Sequence, residues 1–158
     1  MKLYHGSNFV VKEPKILSNV RALDFGAGFY LTSDFEQAKK WATLTTKRRN
    51  TGVATVTEYD FDDNTQELAT LYFHAANGDW LEFISLNRKG KEPEGKYDLI
   101  IGPVANDNTM PVINLYLKGS YSKEEALKRL LPQKLKDQYT FKTVYSLSKL
   151  HFSKELHV

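Results

Sequence analysis

The side chains that could do chemistry in this chain are few, and their spacing excludes several common sites. Four histidines (His5, His74, His151 and His157) stand without metal-ligand spacing, and no H-E-x-x-H is present, so zinc chemistry is not expected. There is no cysteine, which removes disulfides, thiolate ligands and a cysteine nucleophile together and fits a reducing compartment. Gly26-Ala27-Gly28 begins like a dinucleotide fingerprint, but Leu31 stands where the third glycine belongs, and no G-x-x-x-x-G-K-[ST] loop occurs. Taken alone, His5 at a strand end reads as a hydrogen-bonded structural histidine, and Tyr30 on an aromatic strand reads as core. The basic run Lys47-Arg48-Arg49, after Lys39-Lys40, reads as a solvated helix face ahead of a nucleic-acid contact, because the net charge is only +3 and the pI about 8.9.

The elements that must position such residues follow from pattern. With 158 residues, 41% hydrophobic and 26% charged, one packed domain spanning 1–158 is expected, with no apolar run long enough for a membrane span and no charged-then-apolar leader. A soluble, cytoplasmic protein is the expectation. Leu3 to His5 and Gly28 to Thr32 read as short strands, and Val53 to Phe61 alternates with the period of a half-buried one. Ser33-Asp34-Phe35-Glu36 reads as a capping box opening a helix over about 34–48, with Phe35, Ala38, Trp41 and Ala42 on one face. Glu67 to Phe73 is ambiguous, and Trp80 to Arg88 is helical behind Asn77 and Asp79 as candidate caps. Tyr97 to Val104 is the apolar run of a central strand ended by Gly-Pro. Ser122-Lys123-Glu124-Glu125 opens a helix with Ala126, Leu127, Leu130 and Leu131 inward. A strand at Gln138 to Phe141, a short helix from Val144 to Lys149 and a last strand near His151-Phe152 complete the chain. Strands and helices mix without strict alternation, which predicts an α+β domain with mainly antiparallel pairing.

The order of the pieces carries more than any one of them. Leu3-Tyr4-His5-Gly6-Ser7, then Phe25-Gly26-Ala27-Gly28-Phe29-Tyr30-Leu31-Thr32, then a helix bearing Trp41 eleven residues past Tyr30, resembles the opening of the poly(ADP-ribose) polymerase-like ADP-ribosyltransferases. Arg21, Asp24, Gln37-Ala38, Trp80-x-x-Phe83, Asn87-Arg88 and the run Tyr97 to Asp107 are similar to a bacterial, toxin–antitoxin-like branch of that superfamily. The resemblance implies two small, mainly antiparallel sheets forming a split core with flanking helices. It implies NAD as co-substrate, cleavage of the nicotinamide–ribose bond and mono-ADP-ribosyl transfer to a macromolecular acceptor, protein or nucleic acid. The alternatives are an NAD glycohydrolase and a non-catalytic NAD- or ADP-ribose-binding module. A small antitoxin protein is an implied partner.

Carried over by residue, the resemblance gives His5 a hydrogen bond to ribose hydroxyls and gives Tyr30 and Trp41 stacking on the nicotinamide ring. Gly6 and Gly28 belong to the NAD-binding strands, and Arg21 is a candidate pyrophosphate contact, with a surface salt bridge to Asp24 as its alternative. The third site residue of such enzymes is glutamate, in a late strand followed by a short helix and a terminal strand. Here Gln138 stands in that setting, with Glu82 as its rival, although a capping role at the third helical position also explains Glu82. Glutamine can accept the hydroxyl's hydrogen bond but brings no charge, which implies single transfer at a modest rate. Asp98, Asn106 and Asp107 are candidates to orient the acceptor nucleophile, and a turn after Gly-Pro explains them equally.

Overall fold

The computed structural model describes residues 1–16, 24–90 and 96–158. Its first sheet has the order β1-β3-β7, all antiparallel, with β1 at Lys2–Ser7, β3 at Thr55–Phe61 and β7 at Leu150–His157. The second has the order β2-β6-β5-β4, with β2 at Phe29–Leu31, β6 at Asp137–Phe141, β5 at Leu99–Pro103 and β4 at Thr70–Tyr72. Only the β4–β5 pair in that sheet is parallel. Five α-helices lie among the described residues: α1 (Phe35–Arg49), α2 (Gly78–Arg88), α3 (Met110–Leu117), α4 (Lys123–Leu130) and α5 (Val144–Leu147). The architecture is α+β with two small, mainly antiparallel sheets. No helix among the described residues is long and apolar enough to cross a membrane.

Among the described residues, three buried clusters hold these elements. Leu3, Leu31, Tyr59, Leu99 and Phe141 pack side chains of both sheets into one core. Phe25, Trp80, Ile84, Ile100, Ile113 and Leu130 seat α2, α3 and α4 against the second sheet. Ala38 and Ala42 of α1 pack on Val56 of β3. That last contact explains why β3 is buried on both faces rather than one: α1 covers the face that strict alternation would leave to water. Glu58, buried on that strand, accepts from Ser153 Oγ at 2.9 Å and pairs with Lys2 at 3.4 Å.

Several expectations are corrected in detail. Asp34, not Ser33, caps α1, its carboxylate accepting from Gln37 N at 2.8 Å. Ser33 is instead drawn to Asp137 of β6, which accepts from both its amide and its hydroxyl. The cap of α2 is Asn77, accepting from Trp80 N at 3.1 Å, so Glu82 lies beyond the third helical position. Leu131 is 83% exposed, because α4 ends at Leu130 before Pro132. The ambiguous segment resolves into a 3-10 turn at Thr65–Glu67 followed by β4.

Trp80 is fully buried and its indole N–H donates to the Pro103 carbonyl at 2.9 Å. Trp80→Phe is expected to cost about 1–2 kcal/mol, from a lost hydrogen bond and a small cavity. A lower urea midpoint at unchanged denaturant slope is the measurement that checks it.

Candidate functional site

Among the described residues, one bridge joins the two sheets, Tyr4 N–H to Thr32 O at 2.8 Å and Thr32 N–H to Tyr4 O at 3.0 Å. Beyond it β1 and β2 part, and a side-chain bond spans the gap: His5 Nδ1 lies 2.8 Å from the Tyr30 carbonyl. A cleft of about 680 Å³ opens at this place. Of the sequence-predicted residues within the described chain, His5, Gly6, Gly28, Tyr30, Trp41 and Gln138 line it. They come from β1, the entry to β2, β2 itself, α1 and β6. Arg21 lies outside the described residues.

Each side chain is set by its local chemistry. A carbonyl only accepts, so His5 Nδ1 must carry the proton and Nε2 is left as the acceptor of a neutral ring. Burial lowers the His5 pKa to about 4, against the opposing backbone bond to Tyr30 and with a further lowering from Arg49. Its ring stacks on Phe29 with centroids 4.2 Å apart. The Tyr30 hydroxyl donates to Gly26 O at 2.6 Å and accepts from Phe25 N at 3.0 Å, so it pins the loop before β2 and leaves the ring to the cleft. A Cβ on Gly28 would meet Thr140 Cγ2 at 2.7 Å and Phe141 O at 2.8 Å, so β2 can lie this close to β6 only with glycine there.

On α1 the cleft-facing residues are Trp41, Leu44, Thr45, Arg48 and Arg49, one stripe at helical spacing. Arg49 also donates to Asn8 Oδ1 at 2.9 Å. The basic run is thus exposed and, at Arg48 and Arg49, also part of the cleft wall. The signal that could have found Arg48 and Arg49 is Trp41, since positions seven and eight further along a helix return to the same face. Asp24 and Arg88 line the cleft as well and form an ion pair across 64 residues of sequence, which no local spacing could reveal.

Four candidates do not join the site. Glu82 accepts from Tyr116 OH at 3.3 Å on an exposed surface, and it is not among the cleft residues. Asp98 accepts from Ala69 N at 2.9 Å and Thr143 Oγ1 at 2.7 Å, a structural clasp between β5 and the entry to α5. Asn106 caps the turn at Asn108 and Thr109, each amide at 3.0 Å. Asp107 is solvent-exposed, 3.9 Å from Lys40.

Residues 1–152 match the model of a family described as "Protein of unknown function (DUF3990)". No curated protein and no solved structure matches the chain.

Proposed function

The chain belongs to that family, and from its cleft we propose that it binds NAD as a co-substrate, cleaves the nicotinamide–ribose bond and transfers single ADP-ribose units to a macromolecular acceptor, protein or nucleic acid. The observation that carries this reading is the convergence of His5, Tyr30, Trp41 and Gln138, scattered from β1 to β6, on one cleft. The cleft volume, about 680 Å³, falls within the range of small-molecule sites. On this reading the two-sheet core is an ADP-ribosyltransferase-like fold split at the β1–β2 gap.

The chemistry asks little acid–base work of the protein. Nicotinamide is a pyridinium in NAD, so when the C1′–N bond breaks its electron pair neutralises the ring and no general acid is needed. The acceptor's nucleophilic atom then bonds to C1′ and gives its proton to water. What remains is to orient the ribose and hold developing positive charge. His5 Nε2 accepts from one ribose hydroxyl, and Gln138 Oε1 accepts from another. Tyr30 and Trp41 supply aromatic faces that attract the pyridinium by about 0.5–2 kcal/mol. Arg48, Arg49 and Lys15, all on the cleft wall, give the diphosphate its cations. Gln138 adds no negative charge beside C1′, which sets a modest rate.

Incubating the protein with adenylate-labelled NAD and a cell extract tests the proposal: nicotinamide release together with label on a macromolecule is expected. Stoichiometric free ADP-ribose with no labelled acceptor would make it a glycohydrolase, and calorimetric NAD binding without turnover would make it a binding module. No binding at millimolar NAD and no nicotinamide release would end the reading. Arg48→Ala is expected to raise KM for NAD about 5-fold, the scale of one partly solvated charge-assisted contact, with kcat little changed. Steady-state kinetics at two salt concentrations checks it, because the wild-type advantage should shrink at the higher one.

A further inference from the structure

Gln138 is 3% exposed, and acceptors alone orient its amide: Nε2 donates to Asp24 Oδ2 and to the Pro103 carbonyl, each at 3.3 Å. A carboxylate and a carbonyl only accept here, so a flipped amide would set oxygen against two oxygens. Oε1 is therefore the atom turned away from both. Asp24, 7% exposed, is held in turn by three donors. Arg88 Nη2 donates to Oδ1, while Ala105 N–H at 3.2 Å and Gln138 Nε2 at 3.3 Å share Oδ2. The carboxylate thus ties the last turn of α2, the residue pair after β5 and the cleft end of β6 to the segment entering β2. All four of these residues line the cleft.

Resting on the function proposed above, we infer that Asp24 is the positioning residue for Gln138: its carboxylate holds the amide in the orientation that offers Oε1 to a ribose hydroxyl, and its charge dictates an amide rather than an acid at position 138. A glutamate there would bring a second carboxylate within hydrogen-bond reach of the first, and two such groups cannot both stay ionised without a large cost. The tasks that one glutamate would combine are divided, the acceptor resting on Gln138 and the fixed anion one hydrogen bond behind it. Among the described residues, the other charged or titratable groups on this cleft are Arg88 from α2, His5, Tyr30, Arg48 and Arg49, with Glu13 and Lys15, and Lys142 Nζ donates to the Phe25 carbonyl at 2.6 Å.

The experiment compares wild type with Gln138→Glu, Asp24→Asn and the double variant, reading the thermal unfolding midpoint from pH 5 to 8 and kcat and KM for nicotinamide release. For Gln138→Glu the midpoint should fall by about 5 °C relative to wild type as pH rises, because the folded pair keeps a proton that the unfolded glutamate has released. The double variant has one carboxylate and should lose that dependence. At pH 8 Gln138→Glu should release nicotinamide more slowly than wild type, not faster. Asp24→Asn should lower kcat at least about 10-fold with KM within about 3-fold, as expected for a group that acts on the transition state through another.

A Gln138→Glu midpoint that runs parallel to wild type from pH 5 to 8 overturns the inference, as does an unchanged kcat in folded Asp24→Asn. If Asp24→Asn does not fold, the Gln138→Glu profile alone decides. A wild-type protein that releases no nicotinamide counts against the proposed function. The thermal comparison still judges the pair in that case, supporting it if the dependence is present and refuting it if the profiles are parallel.

Discussion

Gly6→Ala is expected to destabilise the protein by at least about 3 kcal/mol, at or above the upper end for a single added methyl in a packed interior. A Cβ at this position would lie 2.0 Å from Ala38 O and 2.7 Å from Ala42 N. Both are backbone atoms of α1, so no side-chain rotation can relieve the clash. Helix α1 would have to back away from β1, opening the contact that buries Ala38, Ala42 and Val56. The requirement is for close approach, not for an unusual backbone angle. Gly90 supplies the contrast: its φ is +69° and a Cβ there meets nothing within 4 Å. Gly90→Ala should therefore cost only the left-handed strain, about 1–2 kcal/mol. Urea unfolding of both variants checks the pair, and a Gly6→Ala loss no larger than that of Gly90→Ala would refute the argument. The displacement matters for the cleft too, since Trp41 and Arg48 ride on α1 while His5 precedes Gly6 on β1. Nicotinamide release by Gly6→Ala should fall even at temperatures where it remains folded.

How much of this was legible in the sequence depended on whether the deciding contact was local. Ser122 caps α4 as its spacing predicts, its hydroxyl accepting from Glu125 N at 3.1 Å. Ser33, in the same local pattern, does not cap α1, because Asp137 competes for it from 104 residues away. The site behaves in the same way. His5, Tyr30 and Trp41 stand out by type and order, whereas Asp24 and Arg88 reveal themselves only once the fold brings them together. Edge position hid the length of β7, whose eight residues are mostly exposed and polar and so lack an apolar alternation over their span. Helix α3 leaves little local signal, because Pro111 in its first turn resembles a breaker, although that is where a helix tolerates proline. The α+β class with mainly antiparallel pairing was foreseeable from pattern, whereas the two small sheets were implied only by the resemblance. Pattern alone carries no sign of the split that the resemblance implied, since among the described residues it rests on the Tyr4–Thr32 bridge and the His5 side chain, contacts between residues far apart in sequence.

His5 should behave as a neutral acceptor across the physiological range, and its titration should appear in stability as well as in turnover. The folded pKa is about 4 and the ordinary value 6.5, so between these limits the unfolded chain takes up a proton that the folded one refuses. Stability from this group is fully present above pH 6.5 and is lost as pH falls toward 4. The total is up to about 3 kcal/mol, and less if the cleft admits water to the ring. His5→Asn separates the two duties of the imidazole. An Asn amide can keep a donor near the position of Nδ1 for the Tyr30 carbonyl, but it cannot reach the place of Nε2. The variant should therefore unfold near the wild-type midpoint at pH 7.5, show a flatter stability profile below pH 6.5, and release nicotinamide about 10- to 100-fold more slowly. That loss corresponds to one hydrogen bond to the reacting sugar. Wild-type kcat/KM should stay level from pH 8 down to about 5 and fall only near pH 4. An acid limb at 6.5 would mean a solvated, ordinary histidine, and a His5→Asn enzyme with wild-type turnover would remove His5 from the reaction altogether.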